Sequence, residues 1–360
     1  MKKYTYMAGF LVAFFVILII VCCTLYKINI SPVSKNSELK EIEIESGETY
    51  LTISSKLKQN NLIKSEFFYK LYVKLMNPKS LEKGKYLLSE DMGVEKIIKT
   101  LENGSDTNID AISITFVEGK NMRYIAKLIS ENTNNTEDDV YNLLNDSNYL
   151  DYLISKYWFL TDEIKDNRIY YSLEGYLFPD TYQFKSKDVT VKEIFETLLD
   201  EMDTKLTPYK TDIQNSNYTV HQILTLASIV ELEGVNVSDR FDVSGVFYNR
   251  LNSGWSLGSD VTTYYASKVD MSERDLKKSE IDECNNYNTR NPCMAGKLPV
   301  SPICNPGIES IKAAINPNQH NYYFFVADKN KKTYFTKTNA EHLQMIASLK
   351  SQGLWYEYQN

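Results

Sequence analysis

Hydrophobic residues run without a charge from Met7 to Leu25 and then give way to alternating and helical patterns that divide the rest of the chain. At about 1.5 Å per residue, an uncharged helix of that length matches the hydrocarbon layer of a bilayer, so residues 1–27 are expected to form a short tip and a transmembrane helix. No small-x-small exit follows. Ile20, Val21 and the Cys22–Cys23 pair argue against a cleaved signal peptide, and Val21 before Cys22 argues against a lipoprotein. Lys2 and Lys3 on one side are nearly balanced by Lys27 and Lys35 on the other, so charge alone does not orient the helix. Residues 28–40, with Ser31-Pro32 and Asn36-Ser37, read as a polar linker.

Beyond the linker, Glu41-Ile42-Glu43-Ile44-Glu45 alternates as a half-buried strand does, and Ser46-Gly47-Glu48-Thr49 supplies a turn. Leu51, Ile53 and Leu57 mark a helix, Phe67, Phe68, Leu71 and Leu75 a second one starting at Ser65, Gly84–Ser89 a strand, and Val94–Leu101 a closing helix. This β-α-α-β-α order predicts a small α+β module over residues 41–106, closing near Asn103-Gly104-Ser105. A larger α+β domain is expected over residues 110–352, with residues 353–360 as a tail. It opens with a strand-turn-helix from Ile112 to Ile129 that turns at Glu118-Gly119. A polar interruption from Glu131 to Asp138 precedes a helix through Leu144, and Ile194, Phe195, Leu198, Leu199 and Met202 mark another. Between them, Ser172–Phe184 breaks all periodicity at Gly175 and Pro179, an aromatic-rich stretch that either lines a site or packs as a surface loop.

One carboxylate stands out. Thr219-Val220-His221-Gln222 has the form of a capping box, and Val220, Ile223, Leu224, Ala227 and Val230 follow at helical spacing. At about 100° per residue, Glu231 falls inside that apolar stripe, whereas Glu233 lies off its centre. A carboxyl group so placed is either paired with a cation, Arg240 or Arg250 being available, or kept protonated by desolvation. The protonated state is the one a general acid needs at neutral pH.

Composition narrows the chemistry. Forty basic against 47 acidic residues give a net charge of -7, and with only 6 Arg among the basic residues a nucleic-acid partner is not expected. The 27 Tyr suit polar ligands such as sugars and suit ordinary packing equally. His221, His320 and His342 are scattered and lack paired zinc-ligand spacing, so neither a metal nor a cofactor is expected. Cys284 and Cys293 bracket a polar, turn-rich stretch where a disulfide would close a short loop outside the cytoplasm; spacing alone leaves bridged and free thiols equally open.

The segments ASIVELE (Ala227–Glu233), GVFYNRL (Gly245–Leu251), LGSD (Leu257–Asp260), YNT (Tyr287–Thr289), PICNPGIESIKAAINP (Pro302–Pro317), YYFFVAD (Tyr322–Asp328) and Glu341-His342 occur in series. LEGYLFPDTY and the Ile112–Gly119 strand-turn precede them. In this series the chain resembles the MltG (YceG-like) endolytic murein transglycosylases, and its first module is similar to the LysM-like module of that family. The resemblance implies that Glu231 is the catalytic acid/base and that the substrate is peptidoglycan glycan. The bond cut would be the β-1,4 link between N-acetylmuramic acid (MurNAc) and N-acetylglucosamine (GlcNAc), leaving 1,6-anhydro-MurNAc ends. It implies substrate-positioning roles for Asp260, Tyr287 and Asn288, and for Glu174, which has a structural role around Gly175 as its rival. Glu233 would orient Glu231 or serve as a helix-end charge. Asn305-Pro306-Gly307 reads as turn chemistry. By resemblance the protein is a single-pass membrane protein with an extracytoplasmic catalytic domain, acting on nascent strands in cell-wall synthesis and strand-length control beside penicillin-binding proteins or other wall synthases.

The chain departs from the family pattern at Gly258 and Val261, where Gln and Pro are usual, at Val117, where Pro is usual, and over Ser279–Met294. Two other functions compete: a muramidase-type hydrolase using Glu231 with Asp260 as base, and a non-catalytic peptidoglycan-binding scaffold. A serine-nucleophile reading of Ser55-x-x-Lys58 fails for want of partner motifs.

Overall fold

A computed structural model describes residues 2–79, 81–102, 104 and 111–355, with side chains described at Phe14 and from Ile17 onward. The chain is a mostly helical α+β protein with small two-stranded sheets. It divides into two compact units, Met1–Ser113 with Gln183–Lys187, and Ile114–Tyr182 with Asp188–Asn360.

The first unit begins with α1 (Lys2–Ile30). Among the described residues no helix is long and apolar enough to cross a membrane. Within the expected span Met7–Leu25, the side chains of residues 7–13, 15 and 16 lie outside the described residues. β1 (Lys40–Ile44) pairs antiparallel with β2 (Gly84–Leu88), Ile42 opposite Tyr86. Strand alternation turns Ile42, Ile44, Tyr86 and Leu88 inward, against α2 (Ser54–Gln59), α3 (Glu66–Met76) and α4 (Val94–Glu102). The module's expected closing turn falls partly, at residues 103 and 105, outside the described residues.

Helix α3 corrects the sequence reading. Its core face is Tyr69, Tyr72 and Val73, while Phe67 and Leu75 stay 69% and 64% exposed. The Phe67 face has a different neighbour, the end of α1. Tyr26 meets Phe68 edge-on with ring centroids 6.2 Å apart, and Cys22, Tyr26 and Ile30 form one wall of an apolar groove of about 630 Å³ that Phe67, Leu71 and Leu75 complete.

After β3 (Ile112–Thr115), within which the boundary falls, the second unit continues with α5 (Met122–Asn132), α6 (Glu137–Leu144) and α7 (Ser147–Lys156). β4 (Thr181–Phe184), which pairs with β3, leads to α8 (Val191–Leu206) and α9 (Lys210–Gln214). At the centre lie α10 (Val220–Glu233), α11 (Val237–Asn252), α12 (Asp260–Ala266), α13 (Lys278–Asp282) and α14 (Ile308–Ile315). The antiparallel pair β5 (Phe324–Ala327) and β6 (Thr333–Thr336) and the helix α15 (Asn339–Ser351) end it. The aperiodic Ser172–Phe184 stretch proves to be turns leading into β4, with Leu173, Tyr176, Leu177 and Phe178 buried in the core.

Helix α10 is the axis of this unit. The Thr219–Gln222 capping box is formed, and from Ile223 to Val230 every residue is buried, including Thr225 and Ser228. The expected two-faced helix is therefore enclosed on all sides, because α11, α12 and α14 all pack on it. Thr225 Oγ1 donates to His221 O at 2.7 Å and Ser228 Oγ to Thr225 O at 2.7 Å, so its interior hydroxyls are satisfied within the helix.

Candidate active site

With α10 enclosed along its middle, the carboxyl groups it carries stand in its last turn. Glu231 Oε1 accepts from Arg240 Nη2 of α11 at 2.8 Å, with the two side chains only 5% and 14% exposed. Its Oε2 accepts from Gly307 N at 3.0 Å and from Ser310 Oγ of α14 at 2.7 Å. Of the two arrangements open to this carboxyl group, the fold adopts the pairing with a cation, Arg240. Each of these contacts is a donor, the arrangement that an ionised carboxylate satisfies. Arg240 also buries its Nε with no acceptor among the described residues. A ligand oxygen would complete it.

A second carboxyl group borders the same backbone. Glu118 follows β3 in the turn at Gly119, whose φ of 74° is a conformation that glycine adopts without strain. Gly119 N donates to Asn305 O at 2.9 Å and Asn305 N donates to Lys120 O at 2.9 Å, tying this turn to the segment leading into α14. Glu118 is exposed as a residue, yet its carboxyl end folds over Gly307 so closely that a Cβ there would collide with it. Burial of that end, then the nearby Glu231 and Glu309, push the Glu118 carboxyl above its ordinary value, with Arg240 opposing. Among the described residues Glu118 has no hydrogen-bond or ion-pair partner.

The other sequence-derived residues occupy three settings. Glu233 accepts from Ser259 Oγ at 2.6 Å, and Ser259 N donates to Thr289 Oγ1 at 3.2 Å, so the ASIVELE, LGSD and YNT segments meet through Glu233 and not through Glu231. Burial raises the Glu233 carboxyl above its usual range, Ser259 and Arg250 opposing and Asp260 adding to the rise. Asp260, at the start of α12, is half exposed and pairs with Arg290. Tyr287 and Asn288 are buried and used internally. Tyr287 Oη accepts from Tyr170 N at 3.0 Å and contacts Ser301 Oγ at 2.9 Å, while Asn288 Nδ2 donates to the carbonyls of Glu280, Ile281 and Glu283. The loop holding them is closed by a Cys284–Cys293 disulfide, Cα atoms 6.1 Å apart.

Glu174 is 1% exposed and accepts from Met122 N and Tyr265 Oη, both at 3.0 Å, so it caps the start of α5 and fastens α12. Burial pushes its carboxyl up to about 7, against the pull of those donors and of Arg123. Asn305 Oδ1 accepts from Leu177 N at 2.9 Å, which makes this residue a tie between the LEGYLFP stretch and the Glu118 turn as well as part of a turn of its own. Glu341 is the return half of the α15 capping box.

A groove of about 610 Å³ opens beside the two carboxylates, with Gly119 and Leu232, the chain neighbours of Glu118 and Glu231, in its wall. Tyr124, Tyr141, Tyr264 and Tyr265 line it with Arg123 and Lys127, and Val261 stands on its wall. Flat aromatic faces with polar edges suit sugar rings. A separate cavity of about 500 Å³ takes in His221 near the other end of α10. There His221 is spent on Tyr176 Oη at 2.7 Å and Val300 O at 2.8 Å. Among the described residues, no group of His, Cys, Asp or Glu converges as metal ligands.

Periodicity located Glu231, with Arg240 or Arg250 as its candidate cation, and the structure supplies Arg240; it passed over Glu118 and Ser310. Glu118 stands on no helical stripe and Ser310 is a small polar residue on the buried face of α14; both reach the site from separate elements. The available signals were the Glu118-Gly119 turn and the Pro306-Gly307 pair opening α14, since helix starts expose N–H donors to anions.

Residues 42–348 match the model of the YceG-like family. An endolytic murein transglycosylase of Bacillus subtilis (strain 168) is 33% identical over 315 residues, covering 87% of this chain and 86% of that protein. One of Streptococcus pneumoniae serotype 2 (strain D39) is 29% identical over 333 residues, 88% of this chain but 59% of the longer relative. The crystal structure of a YceG-like protein from Listeria monocytogenes superposes with a TM-score of 0.60 at 30% identity, covering 87% of this chain and all of that one. On this match over most of its length, the chain belongs to the YceG-like family.

Proposed function

We propose that the protein is an endolytic lytic transglycosylase of peptidoglycan, cutting the β-1,4 bond between MurNAc and GlcNAc and closing a 1,6-anhydro ring on MurNAc. The observation that carries this reading is Glu231, a carboxylate fixed by Arg240, Gly307 N and Ser310 at the edge of a tyrosine-lined groove. Its family and its named relatives point the same way. In the reaction the C6 hydroxyl of MurNAc attacks C1 within the same sugar, replacing water, so proximity supplies much of the rate. Glu231 works as the acid/base. With its oxygens set to accept, the step it is prepared for is removal of the C6 hydroxyl proton.

The test is mass spectrometry of glycan strands incubated with the detergent-solubilised chain and with its Glu231→Gln variant. Ends carrying 1,6-anhydro-MurNAc from the wild type alone are the expected result. Reducing ends would mean a hydrolase. That second reading has a specific observation in its favour, because Glu118 sets a second carboxyl group against Gly307, whose N–H donates to Glu231, whereas Asp260 is paired with Arg290. An inert, folded wild type would instead leave the scaffold reading.

The further placement belongs to the same proposal. α1 would anchor the chain as a single-pass membrane protein, the first module would serve as a LysM-like wall-binding unit, and the second unit would face the wall. There it would act on nascent strands and set their length beside penicillin-binding proteins or other synthases. Crosslinked co-purification that recovers no synthase would remove the partner claim.

A further inference from the structure

The outward side of α3 does not enter the core of the first unit. At about 100° per residue, Phe67, Leu71 and Leu75 fall within about 80° of one another, opposite the core residues Tyr69 and Val73. Leu25 of α1, in the groove that these three help to line, is itself 49% exposed. Contiguous apolar surface of this kind marks a contact and not a solvated face. The joint that shapes the groove is fastened. Tyr26 and Ile30 pack against the core of the module, and Lys64 Nζ donates to Ile28 O at 3.3 Å and to Ser31 Oγ at 2.9 Å. Val33 N and Ser34 N both donate to Glu90 O, at 3.0 and 3.2 Å. The groove therefore keeps a fixed position along α1.

That position names the occupant. Cys22, Cys23 and Leu25, which wall the groove, stand in the last turn of the uncharged run of α1. At about 1.5 Å per residue, Cys22 lies about 5 Å inward of the end of that run. Surface facing this turn falls where interfacial helices bury their apolar sides, roughly 5–10 Å into the boundary between headgroups and acyl chains. Lys27 follows on α1, and Lys74, exposed and three residues beyond Leu71, flanks the apolar side of α3. Such side chains lay their stems along apolar surface and hold the ammonium group in water or against phosphate. We propose that α3 is a membrane-interface helix: phospholipid acyl chains fill the groove it forms with α1, and the first module rests in the leaflet on its side of the bilayer. The inference rests on the reading of α1 as the membrane anchor and adds a second point of contact to it.

A depth measurement on the full chain decides it. The protein is reconstituted into vesicles of phosphatidylethanolamine and phosphatidylglycerol, in a background of Cys22→Ala and Cys23→Ala. Spin labels are placed at Leu75→Cys and, separately, at Ser46→Cys. Both positions are exposed, and Ser46 follows the end of the β1–β2 pair opposite the one joined to α1 through Glu90. Collisions with oxygen, which partitions into lipid, are compared with those of a water-soluble nickel chelate. The label at position 75 is expected roughly 5–10 Å below the headgroups, and the one at position 46 in water. A label at 75 as open to nickel as that at 46, in a chain that carbonate does not strip from the vesicles, would overturn this inference and leave the anchor standing. A label at 75 shielded from oxygen and nickel alike would mean that a second copy of the chain fills the groove, and would also overturn it. A chain that does not insert would overturn the anchor and this inference together.

Discussion

Arg240 fixes the charge that faces Glu231, and its removal is the most direct probe of how the site is held. Breaking a buried pair leaves the surviving carboxylate without its cation, so Arg240→Met should destabilise the protein by about 3 kcal/mol in denaturant titration. Glu174 makes a separate, pH-dependent statement. Its carboxyl is raised to about 7 in the folded protein, so burial opposes ionisation and the proton is held more tightly folded than unfolded. The sign follows: its contribution is fully favourable below the ordinary carboxylate range and is lost as pH rises through about 7. A rise of that size corresponds to about 3 kcal/mol. Thermal unfolding should therefore show wild type losing more stability than Glu174→Gln between pH 5 and pH 8. At this scale Glu231 was legible, because its helix lies within one run of sequence. Glu118 and Ser310 were not, because what makes them part of the site is contact between distant segments, Ser310 lying 79 residues from Glu231 and Glu118 farther still from Gly307.

Among the elements, α10 shows where pattern reading succeeds and where it stops. Thr219 and Gln222 marked its start correctly because a capping box is local chemistry. The stripe of Val220, Ile223, Leu224, Ala227 and Val230 suggested one buried face. The periodic test could not register that Thr225 and Ser228 bury their hydroxyls by bonding back along the helix. Helix α3 failed differently, since two apolar faces compete there and only the fold assigns Tyr69 to the core and Phe68 to α1. The loop closed by Cys284 and Cys293 carries Tyr287, Asn288 and Thr289, and through Thr289 it steadies Ser259 below Glu233. Opening so short a loop should cost about 2–3 kcal/mol, read as a lower Tm for Cys293→Ser or for wild type in reductant.

For the whole molecule, the order of motifs carried more than any one of them, and it led to the family that the comparisons support. Sequence order does not reveal the groove, which gathers Gly119, Tyr141, Leu232 and Tyr264 from four stretches of chain. The membrane placement is checked by fractionation: the intact chain should stay with carbonate-washed membranes, and a version lacking residues 1–27 should be released. A wash that strips the intact chain would sink it. The bridge between Cys284 and Cys293 bears on how the protein is made for any of these experiments. Oxidising compartments form such a bond and the bacterial cytosol does not keep it. Material expressed without export would arrive with that loop open, and what is measured on it would describe the expression host as much as the protein.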